Sequence, residues 1–284
     1  MIKDLLNKTK TSISFEVFPP KKEDEFQDVF SKLDALAVLK PDFISCTYGA
    51  GGSKSEKTME IASYIQNKLN IDTIAHMTCV GFKKQDLEKN CHLLEKEKIP
   101  YVLALRGDRP LTMTEEQFQS REFFYASDMV HYLKKNTSLQ IAGACYPEKH
   151  YEADSIESDL EHLKEKIDAG VCFLISQMFF CNDTFYRFLE RTIKMGITVP
   201  ICAGIMPITS AKQLGTSVKL SGASLPKAFT DMVARYGDHP EDMRKAGIAY
   251  AAEQIYGLKK HGVDGIHIYT MNRPKAMAEL LKQL

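Results

Sequence analysis

Tryptophan is absent from the 284 residues, and cysteine, with seven copies, is scattered at Cys46, Cys79, Cys91, Cys145, Cys172, Cys181 and Cys202 without a CxxC pair. An odd, dispersed set argues against a disulfide framework and fits reduced thiols in a cytosolic protein. The eight histidines lack HExxH or comparable ligand spacing, so no zinc site is expected. No apolar run approaches the roughly 20 residues that cross a bilayer, and the opening MIKDLLNKTK has no apolar signal core. A cytoplasmic protein is expected. Neither sign of charge is in excess, with 37 Lys plus Arg against 37 Asp plus Glu, which gives no reason to expect a nucleic acid or an anionic membrane as partner. A small-molecule ligand is the expectation that remains.

Also missing is any Pro/Ser-rich linker, low-complexity tract or shift in composition, so residues 1–284 are expected to form one domain. What is present is a repeated change of period. Strand spacing at 11–20 is followed by helical spacing from Glu23 to Leu39, where Phe26, Val29, Phe30, Leu33, Leu36 and Ala37 line one side. Strand and helix then alternate: Phe43 to Tyr48 with Ser53 to Leu69, Asp72 to Val80 with Lys84 to Lys98, Tyr101 to Arg106 with Arg121 to Lys135. Gln140 to Tyr146 pairs with Ser155 to Ala169, and Phe173 to Phe179 with Asn182 to Met195. Pro200 to Met206 precedes a helix from about Ser210, an extra helix Leu225 to Tyr236 and a long helix Glu241 to His261. Gly265 to Met271 and a terminal helix Pro274 to Leu284 complete eight units. Eight such units at roughly 35 residues each predict a (β/α)8 TIM barrel with an extra helix before the last unit. A doubly wound sheet is the alternative, but it places a glycine-rich phosphate loop after its first strand, where this chain has Pro19-Pro20.

In such a barrel the informative residues are polar ones on the inner face at strand exits. In TSISFEVFPP, Ile13, Phe15 and Val17 alternate with Ser12, Ser14 and Glu16, and the two prolines stop the strand just beyond the carboxylate. The same alternation brings Thr47, His76, Arg106 with Asp108, Tyr146, Gln177 and Tyr269 to the exits of other strands. Each singly also reads as a satisfied structural group, and Arg106 with Asp108 as an ion pair. Convergence from six or more strands favours a site, and an unpaired buried Glu16 would be costly as mere structure. The loop YGAGGS, Tyr48 to Ser53, matches neither GxGxxG nor a P-loop and reads as a tight turn capped by Ser53.

The fragments SFEVFPP, FISCTYGAGG, AHMTC, LALRGD, YASD, ACYPEKH, KEKIDAG, SQMFF, AGIMPI and YTMNR occur in that order from residue 14 to residue 273. Together they resemble methylenetetrahydrofolate reductase in its short, bacterial-type form. The resemblance implies non-covalent FAD at the barrel mouth and a ping-pong cycle. In that cycle NADH or NADPH, or in some anaerobes a reduced partner protein, reduces the flavin before 5,10-methylenetetrahydrofolate takes the hydride. A homo-oligomer is expected.

By motif, Glu16 matches the general acid that assists opening of the folate's five-membered ring, and Asp108 the acidic residue near flavin and pterin. Gln177 matches a pterin-binding glutamine, and Arg273 a folate- or nicotinamide-side contact. Thr47, His76, Arg106, Asp108, Tyr125, Ala126, Ser127, Tyr146, His150, Asp159 and Lys166 match positions that hold FAD, with Arg106 and Lys166 suited to its pyrophosphate. The flavin carries the hydride chemistry while the protein supplies position, charge and exclusion of water.

Where some relatives place an aromatic residue on the loop after strand seven, this chain has Ser217, with Leu214 or Leu220 as other candidates to cover the site. Two further readings stay open: a pterin-binding methyltransferase barrel without flavin, and a silent barrel serving as a binding subunit. Intact Glu16, Asp108 and Gln177 argue against the second.

Overall fold

The computed structural model describes residues 6, 10–20, 26–48, 55–109 and 113–284, apart from the side chains at 55, 216, 217, 219 and 220. The YGAGGS loop beyond Tyr48, its Ser53 cap and the first residues of the helix expected from Glu23 lie outside them.

Eight parallel strands close into one barrel in sequence order. They are β1 Ser12–Val17, β2 Phe43–Cys46, β3 Thr73–Thr78, β4 Tyr101–Leu105, β5 Gln140–Cys145, β6 Val171–Ser176, β7 Ile201–Ile205 and β8 Gly265–Tyr269. The ring is completed where β1 pairs with β8, from Ser12 opposite Gly265 to Glu16 opposite Tyr269. Around it run α1 Phe26–Ala37, α2 Ser55–Ser63 (prolonged by a π-helical turn, Tyr64–Lys68), α3 Lys84–Lys96, α4 Glu115–Gln119 and α5 Ala126–Asn136. They are followed by α6 Ile156–Ala169, α7 Asn182–Lys194, α8 Ala211–Ser221, α9 Lys227–Tyr236, α10 Pro240–His261 and α11 Pro274–Leu281. The extra helix before the last unit is α9.

Alternation along each strand sorts side chains into two cores. Phe15, Val17, Ile44, Met77, Val102, Ile141, Leu174, Ala203, Ile266 and Ile268 face outward and pack under the helices with Leu33, Leu87, Leu133 and Ile255. The lower interior is filled by Phe43, Ile74, Leu103, Phe173, Ile175 and Cys202, with Leu6 beneath. A barrel centre is therefore packed rather than hollow. A third cluster, Met178, Phe180, Met206, Ile208, Phe229 and Met243, joins the upper ends of β6 and β7 to the three helices that follow β7. Gly247 lets α10 approach there, since a Cβ on it would lie 1.7 Å from the Ile208 carbonyl oxygen.

One helix departs from expectation. The periodicity predicts a helix over Arg121 to Lys135, whereas α5 begins at Ala126 and the short α4 precedes it. Asp128 is the reason: its carboxylate accepts from the backbone N–H groups of Phe124 and Tyr125, both at 2.8 Å, which caps the helix and leaves the preceding residues outside it. Phe123 is buried from that non-helical segment.

Candidate active site

Moving up the inner face, apolar residues give way to polar ones on several strands: Phe43 to Ser45 on β2, Ile74 to His76 on β3, Phe173 and Ile175 to Gln177 beyond β6. At the centre is His267 on β8, fully buried. Ser14 Oγ lies 2.7 Å from its Nδ1 and Ser45 Oγ 3.1 Å from its Nε2, while its ring stacks on Phe43. One step higher, the Glu16 carboxylate stands 3.9 Å from His267 Nε2 and 3.7 Å from His76 Nε2. Those separations are too long for hydrogen bonds, and His76 Nε2 is a buried polar atom with no hydrogen-bond partner among the described residues. Burial holds the His76 pKa down at about 4, against the pull of the Glu16 charge, so the ring is neutral at physiological pH.

Tyr269, opposite Glu16 in the ladder, donates its hydroxyl to the Ser176 carbonyl at 2.7 Å. Burial, with the Glu16 charge second, pushes its pKa well up. Gly204 makes room, because a Cβ there would lie 2.2 Å from that same carbonyl oxygen and 2.9 Å from the Tyr269 hydroxyl.

The β4 and β5 exits form a basic sector. Arg106 follows β4 and is ion-paired with Glu152, not with Asp108, which corrects the pairing read from sequence. The reason is local: Gly107 takes a left-handed turn at φ 79°, and Arg106 reaches instead to the loop after β5. Its hydrogen bond holds the Glu152 carboxyl at about 2, against a smaller opposing effect of burial. Tyr146 follows β5, edge-on to His150 at 4.7 Å, and burial raises its hydroxyl pKa. Asp159 in the first turn of α6 accepts from the His150 N–H at 3.1 Å. Lys166, further along α6, donates to the Ala144 carbonyl at 2.6 Å, and burial lowers its pKa. Burial likewise lowers that of His150, with the Arg106 charge adding to the effect.

The remaining expected residues surround the same rim. Thr47 lies one residue past β2 and its N–H donates to the Val17 carbonyl at 2.9 Å. Asp108 is exposed three residues past β4, on the same rim as Glu16. Tyr125 caps α5 and is exposed, with Ala126 and Ser127 in that helix's first turn. The Gln177 side-chain oxygen accepts from the Met178 N–H at 2.9 Å. Arg273 precedes α11 and donates to the Thr209 hydroxyl beyond β7. Ser217 lies within helix α8 rather than on a loop, and Leu214 on that helix packs against the third cluster.

His267, Ser45 and Glu152 are absent from the residues expected at the site. The first was legible, since two-residue alternation below Tyr269 puts His267 on the same inner face.

A closed eight-stranded barrel with an acid, two histidines and a basic sector at the C-terminal rim is the architecture of a barrel enzyme. Comparison with known proteins narrows that class. The family model described as methylenetetrahydrofolate reductase matches residues 1–284. The 5,10-methylenetetrahydrofolate reductases of Pectobacterium carotovorum and Escherichia coli are 34% and 33% identical, over 93% and 92% of this chain and 87% and 86% of theirs. Methylenetetrahydrofolate reductase (NADH) 1 of Arabidopsis thaliana is 34% identical over 100% of the chain, which spans 50% of that longer protein. Among solved structures, a Clostridium thermocellum protein that binds two copies of 5-methyl-5,6,7,8-tetrahydrofolic acid shares the fold, with a TM-score of 0.69 at 17% identity over 99% of this chain and 96% of that one. The chain belongs to the methylenetetrahydrofolate reductase family of folate-processing oxidoreductases.

Proposed function

We propose that this enzyme reduces 5,10-methylenetetrahydrofolate to 5-methyltetrahydrofolate with FAD as its cofactor and NADH or NADPH as reductant. The observation that carries the reading is the carboxylate of Glu16, held at the inner rim within 4 Å of two buried histidines and hydrogen-bonded to neither. A carboxyl in that setting serves as a proton donor to a ligand rather than as a structural ion pair.

The residues at the rim fit a flavin dinucleotide. His76 offers a buried, unpartnered Nε2, which a polar atom of a bound ring system would satisfy. Arg106, His150 and Lys166 gather positive and hydrogen-bonding groups around Tyr146, as a pyrophosphate requires, and Tyr125, Ala126 and Ser127 at the N-terminus of α5 would flank the other end. Thr47 and Asp159 complete the contacts assigned to it. When bound, FAD supplies the hydride transfer that no side chain can perform.

The chain's own residues do the rest. Gln177 orients the pterin through its amide, and Arg273 contributes a folate- or nicotinamide-side contact. Glu16 delivers a proton as the folate ring opens. His267, fixed by Ser14 and Ser45, and neutral His76 flank that carboxyl without hydrogen-bonding to it. Asp108, exposed at the same rim, places negative charge beside the reacting rings.

Purified protein, reconstituted with FAD if needed, should be yellow, bleach with NADH or NADPH, and regain its colour on adding 5,10-methylenetetrahydrofolate. Protein that takes up no flavin under any of these conditions would refute the proposal.

A further inference from the structure

We propose that Thr270 and Asn272 are positioning residues that clasp the exit of β1 and thereby aim the Glu16 side chain, an inference that rests on reading Glu16 as the proton donor. The β1–β8 ladder ends at the Glu16–Tyr269 pair. Three residues beyond Glu16, Pro19 and then Pro20 have no N–H with which to prolong it. On the β2 side the pairing runs on to Val17 opposite Cys46 and to the Thr47 N–H, so it is on the β8 side that the peptide groups from Glu16 to Phe18 need another hold.

They are held by the segment that follows β8. Thr270, 1% exposed, donates its hydroxyl to the Glu16 carbonyl at 2.7 Å, and its N–H points to the same oxygen at 3.3 Å. Asn272 grips Phe18 at both ends: the Phe18 N–H donates to Asn272 Oδ1 at 3.2 Å and Asn272 Nδ2 donates to the Phe18 carbonyl at 2.8 Å. The Asn272 N–H in turn donates to the Thr270 hydroxyl at 3.1 Å, so the two grips form one unit.

Reaching this geometry requires left-handed backbone at both Met271 and Asn272, each at φ 51°. Asparagine tolerates that region, while methionine enters it at a cost, and such backbone persists where its surroundings over-determine it. Because both ends of the Asn272 amide are engaged by the two peptide groups of one residue, Phe18, its role is toward the chain and not toward a ligand. The consequence is leverage. Glu16 carries its carboxyl three bonds from the backbone, and a displacement of roughly 1 Å at a reacting group costs about 10²-fold in rate.

Three variants separate the clasp from simple loss of structure. Asn272→Gly removes both bonds to Phe18 while accepting the left-handed backbone without strain. Thr270→Val removes the hydroxyl at nearly constant shape, and Thr270→Ser retains it. In the FAD-loaded proteins, bleaching by NAD(P)H should stay within about twofold of wild type in all three. Recovery of colour with 5,10-methylenetetrahydrofolate should slow about 10- to 100-fold in Asn272→Gly and Thr270→Val but stay within about threefold in Thr270→Ser. In the flavin-free protein, hydrogen exchange at the Phe18 amide should accelerate in Asn272→Gly. Full folate reactivity in Asn272→Gly and Thr270→Val, equal slowing of both half-reactions, or unchanged Phe18 exchange would each overturn the proposal while leaving the function of Glu16 standing. Wild-type protein that accepts FAD and bleaches but never passes hydride to folate would remove both.

Discussion

Mild acid should destabilise this protein more than its carboxylates alone would, because His76 is folded as a neutral ring. Only 6% exposed on the inner face of β3, it has a pKa of about 4 through burial, the nearby Glu16 pulling the other way and His267 pushing it further down. In the unfolded chain the same ring takes up its proton near pH 6.5. Between those values the unfolded state binds more protons than the folded one, so stability is full above about pH 6.5 and falls as the pH drops toward 4. At about 1.4 kcal/mol per pH unit the interval amounts to about 3 kcal/mol, of which about 2 kcal/mol is lost by about pH 5. Urea unfolding of the flavin-free protein, followed by far-UV circular dichroism across this range, measures it directly. His76→Gln, which cannot titrate, should lose about 2 kcal/mol less than wild type between about pH 7.5 and about pH 5. Parallel curves for the two proteins would mean that His76 is not held neutral, and the account of its pocket would be wrong.

Gly204→Ala forces a Cβ against the Ser176 carbonyl and the Tyr269 hydroxyl. Overpacking at about 1–3 kcal/mol plus loss of one hydrogen bond at about 1 kcal/mol predicts a fall in Tm of about 3–8 °C, and a shift under about 1 °C would show that β7 yields freely. Glu16→Gln should retain flavin and its bleaching by nicotinamide yet slow the folate half-reaction by about 10²- to 10⁴-fold. Stopped-flow traces in which both half-reactions slow together would dismiss Glu16 as the acid. The Glu152 carboxyl, held at about 2 by its hydrogen bond from Arg106, stabilises the fold above its unfolded value near 4.5 and ceases to do so as the pH falls from there to about 2. Glu152→Gln should therefore flatten the acid limb of the stability curve, and superimposable limbs would show that this partly exposed pair contributes nothing measurable.

Some of the site could be read from linear spacing. Strand alternation put Glu16, His76, Gln177 and Tyr269 on the inner face, because a period of two holds wherever a strand is straight. The partner of Arg106 could not be read this way. Asp108 is its near neighbour in sequence, but a left-handed Gly107 intervenes and Glu152, 46 residues on, is its neighbour in space. The start of α5 was missed for a related reason. Phe123 and Phe124 continue the helical apolar spacing, and only the Asp128 cap reveals that the helix has not yet begun there.

By itself the sequence determined the eight-unit rhythm, the inward parity of each strand and the ordered motifs by which the family is identified, since all three are properties of local spacing. Which side chains meet was decided by closure of the barrel. Ser14 and His267 are 253 residues apart and touch only because the first and last strands pair in one register. Sliding that register by one residue would turn His267 outward and leave Glu16 beside isoleucine.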